Sequence, residues 1–187
     1  MTDTAPSDHD FKRLLLASIP SLRAFALSLS GVPDRADDLL QETIMKAWAK
    51  QSSFEPGTNI KAWLFTILRN EFYSQMRKRG REIGDPDDIY TSQMAVQPSQ
   101  HGAMDMEDFK KALAELSDDQ REAIILVSAS GFSYDEAAEI CNCAVGTIKS
   151  RINRARARLQ ELLGIDGEGD FGPDAHTAAV IRPSALS

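Results

Sequence analysis

The sequence predicts an all-α protein: two small helical domains joined by a flexible acidic linker, the second domain carrying a helix-turn-helix. Three observations lead there. Apolar residues recur at helical spacing through residues 10–81 and 106–163, and no segment alternates in the manner of a strand. Residues 133–159 have the form of a capped helix, a short turn and a basic amphipathic helix. Charge is partitioned: residues 61–81 hold six basic residues against one acid, residues 141–163 five against one, and residues 82–109 seven acids with no Lys or Arg.

In chain order, Phe11, Leu14, Leu15, Ile19, Leu22, Phe25, Ala26 and Leu29 form an apolar stripe that Pro20 interrupts and that ends at the break of residues 31–33. Asp34 is placed to cap the next helix, with Asp37 and Asp38 in its first turn and Leu40, Ile44 and Trp48 as its inner stripe. The outer face of that helix carries Asp37, Asp38, Gln41 and Glu42 with the exposed parts of Leu39 and Met45. Such a face repels DNA and suits a basic or amphipathic protein surface; a plain solvated face is the alternative. Residues 52–58 form a loop around Pro56 and Gly57, and a long helix follows from Asn59 to about Arg79.

On that long helix Thr66, Asn70, Tyr73 and Arg77 share a stripe bordered by Arg69 and Ser74, while Trp63, Leu64, Ile67, Leu68 and Phe72 pack inward. Amides read base edges, rings stack on bases and guanidinium groups hold phosphate, so the stripe suits unstacked nucleic acid. The alternative is a solvent-facing polar stripe with one buried aromatic.

Residues 82–105, with Gly84, Pro86, Pro98 and Gly102 among Asp, Gln and Ser, are expected to form a flexible linker. A relaxed coil of that length spans about 25–30 Å and tethers two domains without setting their orientation. In the second domain Phe109, Leu113 and Leu116 mark one helix, Ser117 with Gln120 offers a capping box, and Gly131 ends the apolar helix that follows.

The helix-turn-helix opens with Ser133 and Glu136 as a capping box and breaks near Asn142. Val145, Ile148, Ile152, Ala155 and Leu159 line one side of its second helix, and Gly146, Ser150, Asn153 and Ala157 point the opposite way. Lys149 and Arg156 flank this small polar ridge on one side, Arg151, Arg154 and Arg158 on the other. A ridge that enters a groove closely, with cations beside it for phosphates, suits the major groove of duplex DNA. The tail, residues 164–187, is rich in Gly, Ala, Pro and Asp and is expected to stay disordered.

Other function classes fit poorly. There is no run of 18 apolar residues, so no membrane span is expected, and the polar, acidic N-terminus is unlike a secretory signal. Cys141 and Cys143 are too close for a disulfide and too few for structural zinc, which points to a reducing cytoplasm with no metal and no cofactor. His9, His101 and His176 lie in polar stretches, and no catalytic constellation is apparent, so an enzyme is not expected. The net charge of −7 looks wrong for a DNA binder, but its distribution into two basic footprints separated by an acidic segment resolves this.

With these residues in view, the chain resembles the bacterial extracytoplasmic-function (group 4, sigma-70 family) sigma factors. Ala36-Asp37-Asp38-Leu39-Leu40-Gln41-Glu42-Thr43 with Ala47-Trp48 is similar to the helix of that family that binds core RNA polymerase. Asn59-Ile60-Lys61-Ala62-Trp63-Leu64-Phe65-Thr66-Ile67-Leu68-Arg69-Asn70 is similar to its −10 block, and Ala144-Val145-Gly146-Thr147-Ile148-Lys149-Ser150-Arg151 to the start of its −35 helix. Asp119-Gln120-Arg121-Glu122-Ala123, Gly131-Phe132-Ser133-Tyr134 and Ala137-Ala138-Glu139-Ile140-Cys141 resemble the general-stress-response branch of EcfG type.

The resemblance implies a sigma factor that brings core polymerase to stress-response promoters and assists their opening, held by an anti-sigma factor of NepR type that a PhyR-type regulator releases. It implies a region 2 like domain over residues 10–81 and a region 4 like domain over residues 106–163. For −35 contact it implies Lys149, Ser150, Asn153 and Arg154 toward bases and Thr147, Arg151 and Arg156 toward phosphates. For the −10 element it implies Asn70 with the loop from Phe54 to Asn59, and the basic, aromatic helix adds Lys61, Tyr73 and Arg77. For polymerase it implies Asp38, Leu39, Gln41 and Glu42. A stand-alone helix-turn-helix regulator, binding its operator without polymerase, is the competing function.

Overall fold

The structure, a computed structural model, describes residues 8–83 and 104–164. These are helical apart from short turns and one loop, with no strand among them. The first half contains α1 (Asp8–Ser30), α2 (Pro33–Ala49), a 3-10 turn (Gln51–Ser53) and α3 (Ile60–Ile83). The second contains α4 (Met104–Ala114), α5 (Asp118–Ile124) prolonged by a π turn (Ile125–Ala129), α6 (Tyr134–Cys141) and α7 (Val145–Leu163). Most of the expected linker, residues 84–103, lies outside the described residues, as does the tail from residue 165. The ends of the expected linker are helical, belonging to α3 and α4.

Pro20 does not end α1. The helix runs through it, with Leu15, Leu22, Phe25, Ala26 and Leu29 buried on both sides of the proline. Pro20 is itself exposed and removes only the bond to the Leu16 carbonyl on the solvent side, so packing outweighs the loss. By length and composition α1 is apolar enough to cross a membrane, but its apolar stripe is core against α2 and α3. Gly31, at φ 68°, ends it as expected.

The start of α2 is earlier than the acidic pattern suggests. Val32 is the extended N-cap residue and Pro33 occupies the first turn, where its missing N–H costs nothing; Asp34 is inside the helix. The inner stripe is Ala36, Leu39, Leu40, Thr43 and Ala47, and Trp48 lies at its edge, 45% exposed. In the second half, Ser117 precedes α5 but its hydroxyl makes no cap bond. Arg121 closes that junction, donating to the carbonyls of Ala114 and Leu116 and pairing with Asp118. The Ser133–Glu136 capping box is formed in both directions, and Asn142, at φ 50°, makes the left-handed turn that ends α6.

The two halves are not independent bodies. One buried cluster runs from Phe11 and Leu15 of α1 through Leu64, Phe65 and Leu68 of α3 to Leu126, Phe132, Ile140 and Ile152 of the second half. Phe65 stacks on Phe25 at 4.8 Å and meets the edge of Phe132 at 4.9 Å. A smaller cluster of Ala112, Leu116, Ile124, Ala155 and Leu159 ties α4, α5 and α7 together. Small helical units have thin cores, and docking lets them share one.

Candidate nucleic-acid interface

α7 buries Ile148, Ile152, Ala155 and Leu159 and turns Gly146, Lys149, Asn153, Arg154 and Ala157 to solvent. Thr147, Ser150 and Arg156 are half-buried at the borders of that face. Ser150 donates to the Thr147 carbonyl at 2.9 Å and receives Arg154 at 3.4 Å. A Cβ on Gly146 would meet nothing within 4 Å, so packing within the chain does not call for glycine there. Its absence of side chain leaves room for something outside the protein. Lys149 leans toward the ring of Tyr134, with Nζ 6.0 Å from its centre.

Arg151 is committed within the fold. Its Nη2 donates to Asp119 at 2.7 Å, joining α7 to α5, and its other arm lies 3.9 Å from the Cys143 sulfur. A phosphate would have to compete with Asp119 for it. Arg158 is paired with Glu161 one turn along the helix.

The residues expected to read single strands divide into three groups. Asn70 and Arg77 are exposed on α3. Asn59, Lys61 and Tyr73 face the second half. Asn59 caps α3 by accepting from the Ala62 N–H at 3.2 Å, and its Nδ2 donates to Glu136 at 2.6 Å. Lys61 donates to the Ser130 carbonyl at 2.6 Å and lies over the rings of Phe65 and Phe132. Tyr73 is half-buried beneath the Arg69 guanidinium, 4.7 Å from its ring centre, with its hydroxyl 3.4 Å from Glu122. Phe54 forms the third group and corrects the sequence expectation: it is 7% exposed, enclosed by Phe11 and Trp63. Its ring is core and unavailable for base contact.

Leu39 is corrected likewise. At 2% exposure it belongs to the core, one helical step from the outer face on which Asp38 and Gln41 lie exposed and Glu42 half-exposed. The apolar members of that outer face are Met45, 63% exposed, and Trp48. Trp48, expected on the inner stripe, instead shares the outer one with Gln41 and Met45, seven and three residues away.

Sequence reasoning gave no role to Glu122. It is fully buried, and its Oε1 accepts from Arg69 Nε at 2.7 Å. Burial pushes its carboxyl above the usual range, against the attraction of Arg69. Burial also pushes the neighbouring Cys141 thiol up to about 12. In the sequence Glu122 follows Asp118, Asp119, Gln120 and Arg121, a polar run in which nothing marks it for burial.

A family model for sigma-70 region 2 matches residues 14–82, and one for sigma-70 region 4 matches residues 106–159. The chain is 60% identical over 167 residues to the ECF RNA polymerase sigma factor EcfG of Rhodopseudomonas palustris, covering 89% of this chain and 92% of that one. This chain belongs to the ECF sigma factors of the sigma-70 family. Among other relatives, the ECF sigma factor SigM of Bacillus subtilis is 37% identical over 74% of this sigma factor and 85% of its own length. Of solved structures, the sigma factor RpoE in complex with the anti-sigma factor NepR from Bartonella quintana matches at 66% identity and a TM-score of 0.76. The match covers 84% of this chain and 99% of that one. In this sigma factor, α1 to α3 are therefore the region 2 half and α4 to α7 the region 4 half.

Proposed function

We propose that this sigma factor directs core RNA polymerase to promoters of a general stress response and assists their opening. The single observation that carries the reading is the outward face of α7, where Gly146, Lys149, Asn153 and Arg154 present a small polar ridge with cations beside it. In this reading residues 106–163 anchor on −35 duplex, Lys149, Ser150, Asn153 and Arg154 toward bases, Thr147 and Arg156 toward phosphates. Residues 10–81 capture −10 bases with Asn59, Lys61, Asn70, Tyr73 and Arg77. Asp38, Gln41 and Glu42, joined by Met45 and Trp48, bind polymerase. Extruding a base costs a few kcal/mol, offset by stacking and edge hydrogen bonds.

The chain makes and breaks no bond itself, requires no cofactor and works in the cytoplasm. The likeness to EcfG and to the NepR-bound RpoE supports a NepR-type anti-sigma factor as its antagonist. The test is transcription from a candidate promoter with purified core polymerase, with and without the chain. Initiation only when both are present is the expected result. Binding of an operator by the chain alone, as a dimer on paired half-sites, would instead mark a stand-alone regulator.

A further inference from the structure

Three of the residues assigned to single-stranded DNA are tied to the region 4 half. Asn59 reaches Glu136, Lys61 reaches the Ser130 carbonyl and Tyr73 reaches Glu122, across 77, 69 and 49 residues of sequence. We propose that this docked arrangement is an autoinhibited form of the free chain, in which the Arg69–Glu122 pair latches α5 and α6 over the single-strand-reading face of α3. The proposal rests on the promoter-recognition reading above.

Glu122 occupies the place an incoming phosphate would take: an anion against the Arg69 guanidinium, beside the Tyr73 ring. DNA and the Glu122 carboxylate therefore compete for one guanidinium; of the expected −10 residues, Lys61 and Tyr73 are half-buried, while Asn59, Asn70 and Arg77 keep exposed surface, Asn59 with its amide held by Glu136. The chemistry of the latch suits release. A buried ion pair loses much of its attraction to desolvation, and both partners regain water when the halves part. The remaining contact between the halves includes Lys61 over the Phe65 and Phe132 rings and the edge contact of those rings. Any partner that binds the separated halves better shifts the population toward the open form, and apparent affinity for DNA is scaled by the open fraction.

The experiment uses the full chain without polymerase. Glu122→Lys sets two cations against each other in the latch; Glu115→Lys makes the same charge change at an exposed site just after α4. Small-angle scattering reads compactness, alkylation of Cys141 reads uncovering of the interface, and a labelled single-stranded −10 oligonucleotide reads the face of α3. Glu122→Lys is expected to expand the chain, expose Cys141 and bind the oligonucleotide about tenfold more tightly, which corresponds to an open fraction near one in ten in the wild type. Glu115→Lys should stay within about twofold of wild type, as expected of a lone surface charge. The swapped pair, Arg69→Glu with Glu122→Lys, should restore compactness.

The latch is overturned if Glu122→Lys stays as compact as wild type. It is overturned equally if the chain expands while its oligonucleotide affinity matches that of Glu115→Lys. Should Glu122→Lys lose its helical circular dichroism, Glu136→Gln carries the same comparison: the amide still serves the Ser133 cap but opposes the Asn59 amide. Polymerase-dependent transcription with an unaltered scattering profile would discard the latch alone. Absence of such transcription would discard the promoter reading, while scattering still decides whether the pair holds the halves together.

Discussion

Arg69 on α3 and Glu122 on α5 form an ion pair at 2.7 Å in which the acid is wholly buried and the base is 15% exposed. It is the most enclosed charge pair among the described residues that joins the two halves of the molecule. Removing only Arg69 (Arg69→Met) strands a buried carboxylate in the docked form, which the chain escapes by opening, so the loss of stability should stop at about 1.4 kcal/mol, the gap set by an open fraction near one in ten, whereas Arg69→Met with Glu122→Leu should recover most of that loss. Urea denaturation of the single and double variants checks the difference. Equal stability of the two would mean that water reaches Glu122 once its partner is gone.

On α7, Arg154→Ala should weaken −35 binding by about 1–3 kcal/mol and relax the preference at one base pair. Binding to a panel of −35 variants measures both. Gly146→Leu provides the complementary case. Nothing in the fold meets a side chain there, so thermal stability should hold while −35 affinity falls. A loss of stability would show that the open space is used within the protein.

Phe54 and Asn70 should separate by phenotype. Phe54→Ala empties a ring from the cluster with Phe11 and Trp63 and should destabilise the chain by about 3–5 kcal/mol. Asn70→Ala, on an exposed site, should leave stability unchanged and reduce promoter opening more than duplex binding. Permanganate reactivity at the −10 region, set beside a melting curve for each variant, distinguishes them.

Glu136 gives the start of α6 a pH dependence. Its carboxylate accepts from the Ser133 backbone, which lowers its pKa below the usual 4.5, and Asn59 adds to the effect against a smaller cost of burial. A depressed acid stabilises the fold above its unfolded pKa, and that contribution is lost as pH falls through the folded value. Amide protection at the start of α6 should therefore decline below about pH 4.5. Hydrogen exchange followed across that range tests it, and Glu136→Gln should flatten the profile.

Much of this was legible before any tertiary information. The Ser133–Glu136 box, the Asn142 break and the stripe of Ile148, Ile152 and Leu159 each depend on residues within a turn or two of one another, so local spacing encodes them. The outward ridge of Gly146, Asn153 and Arg154 follows from the same periodicity. Errors arose where packing overrode a local signal. Pro20 interrupts the apolar pattern but not the helix, because the buried stripe of α1 continues on both sides of it, and Asp34 gives way to Val32 and Pro33 at the start of α2. The resemblance places Phe54 in the −10 loop and Leu39 on the polymerase-binding face, while the core claims both side chains.

The sequence by itself determined the helices, their caps, two basic faces and the family to which they belong, because those features are written in short windows of the chain. What only the tertiary structure decided is which faces meet. Arg69 and Glu122 stand 53 residues apart, and neither residue carries a local mark of the other. Their pairing follows from shared burial of Phe65 and Phe132, a cooperative outcome of packing that no periodicity records.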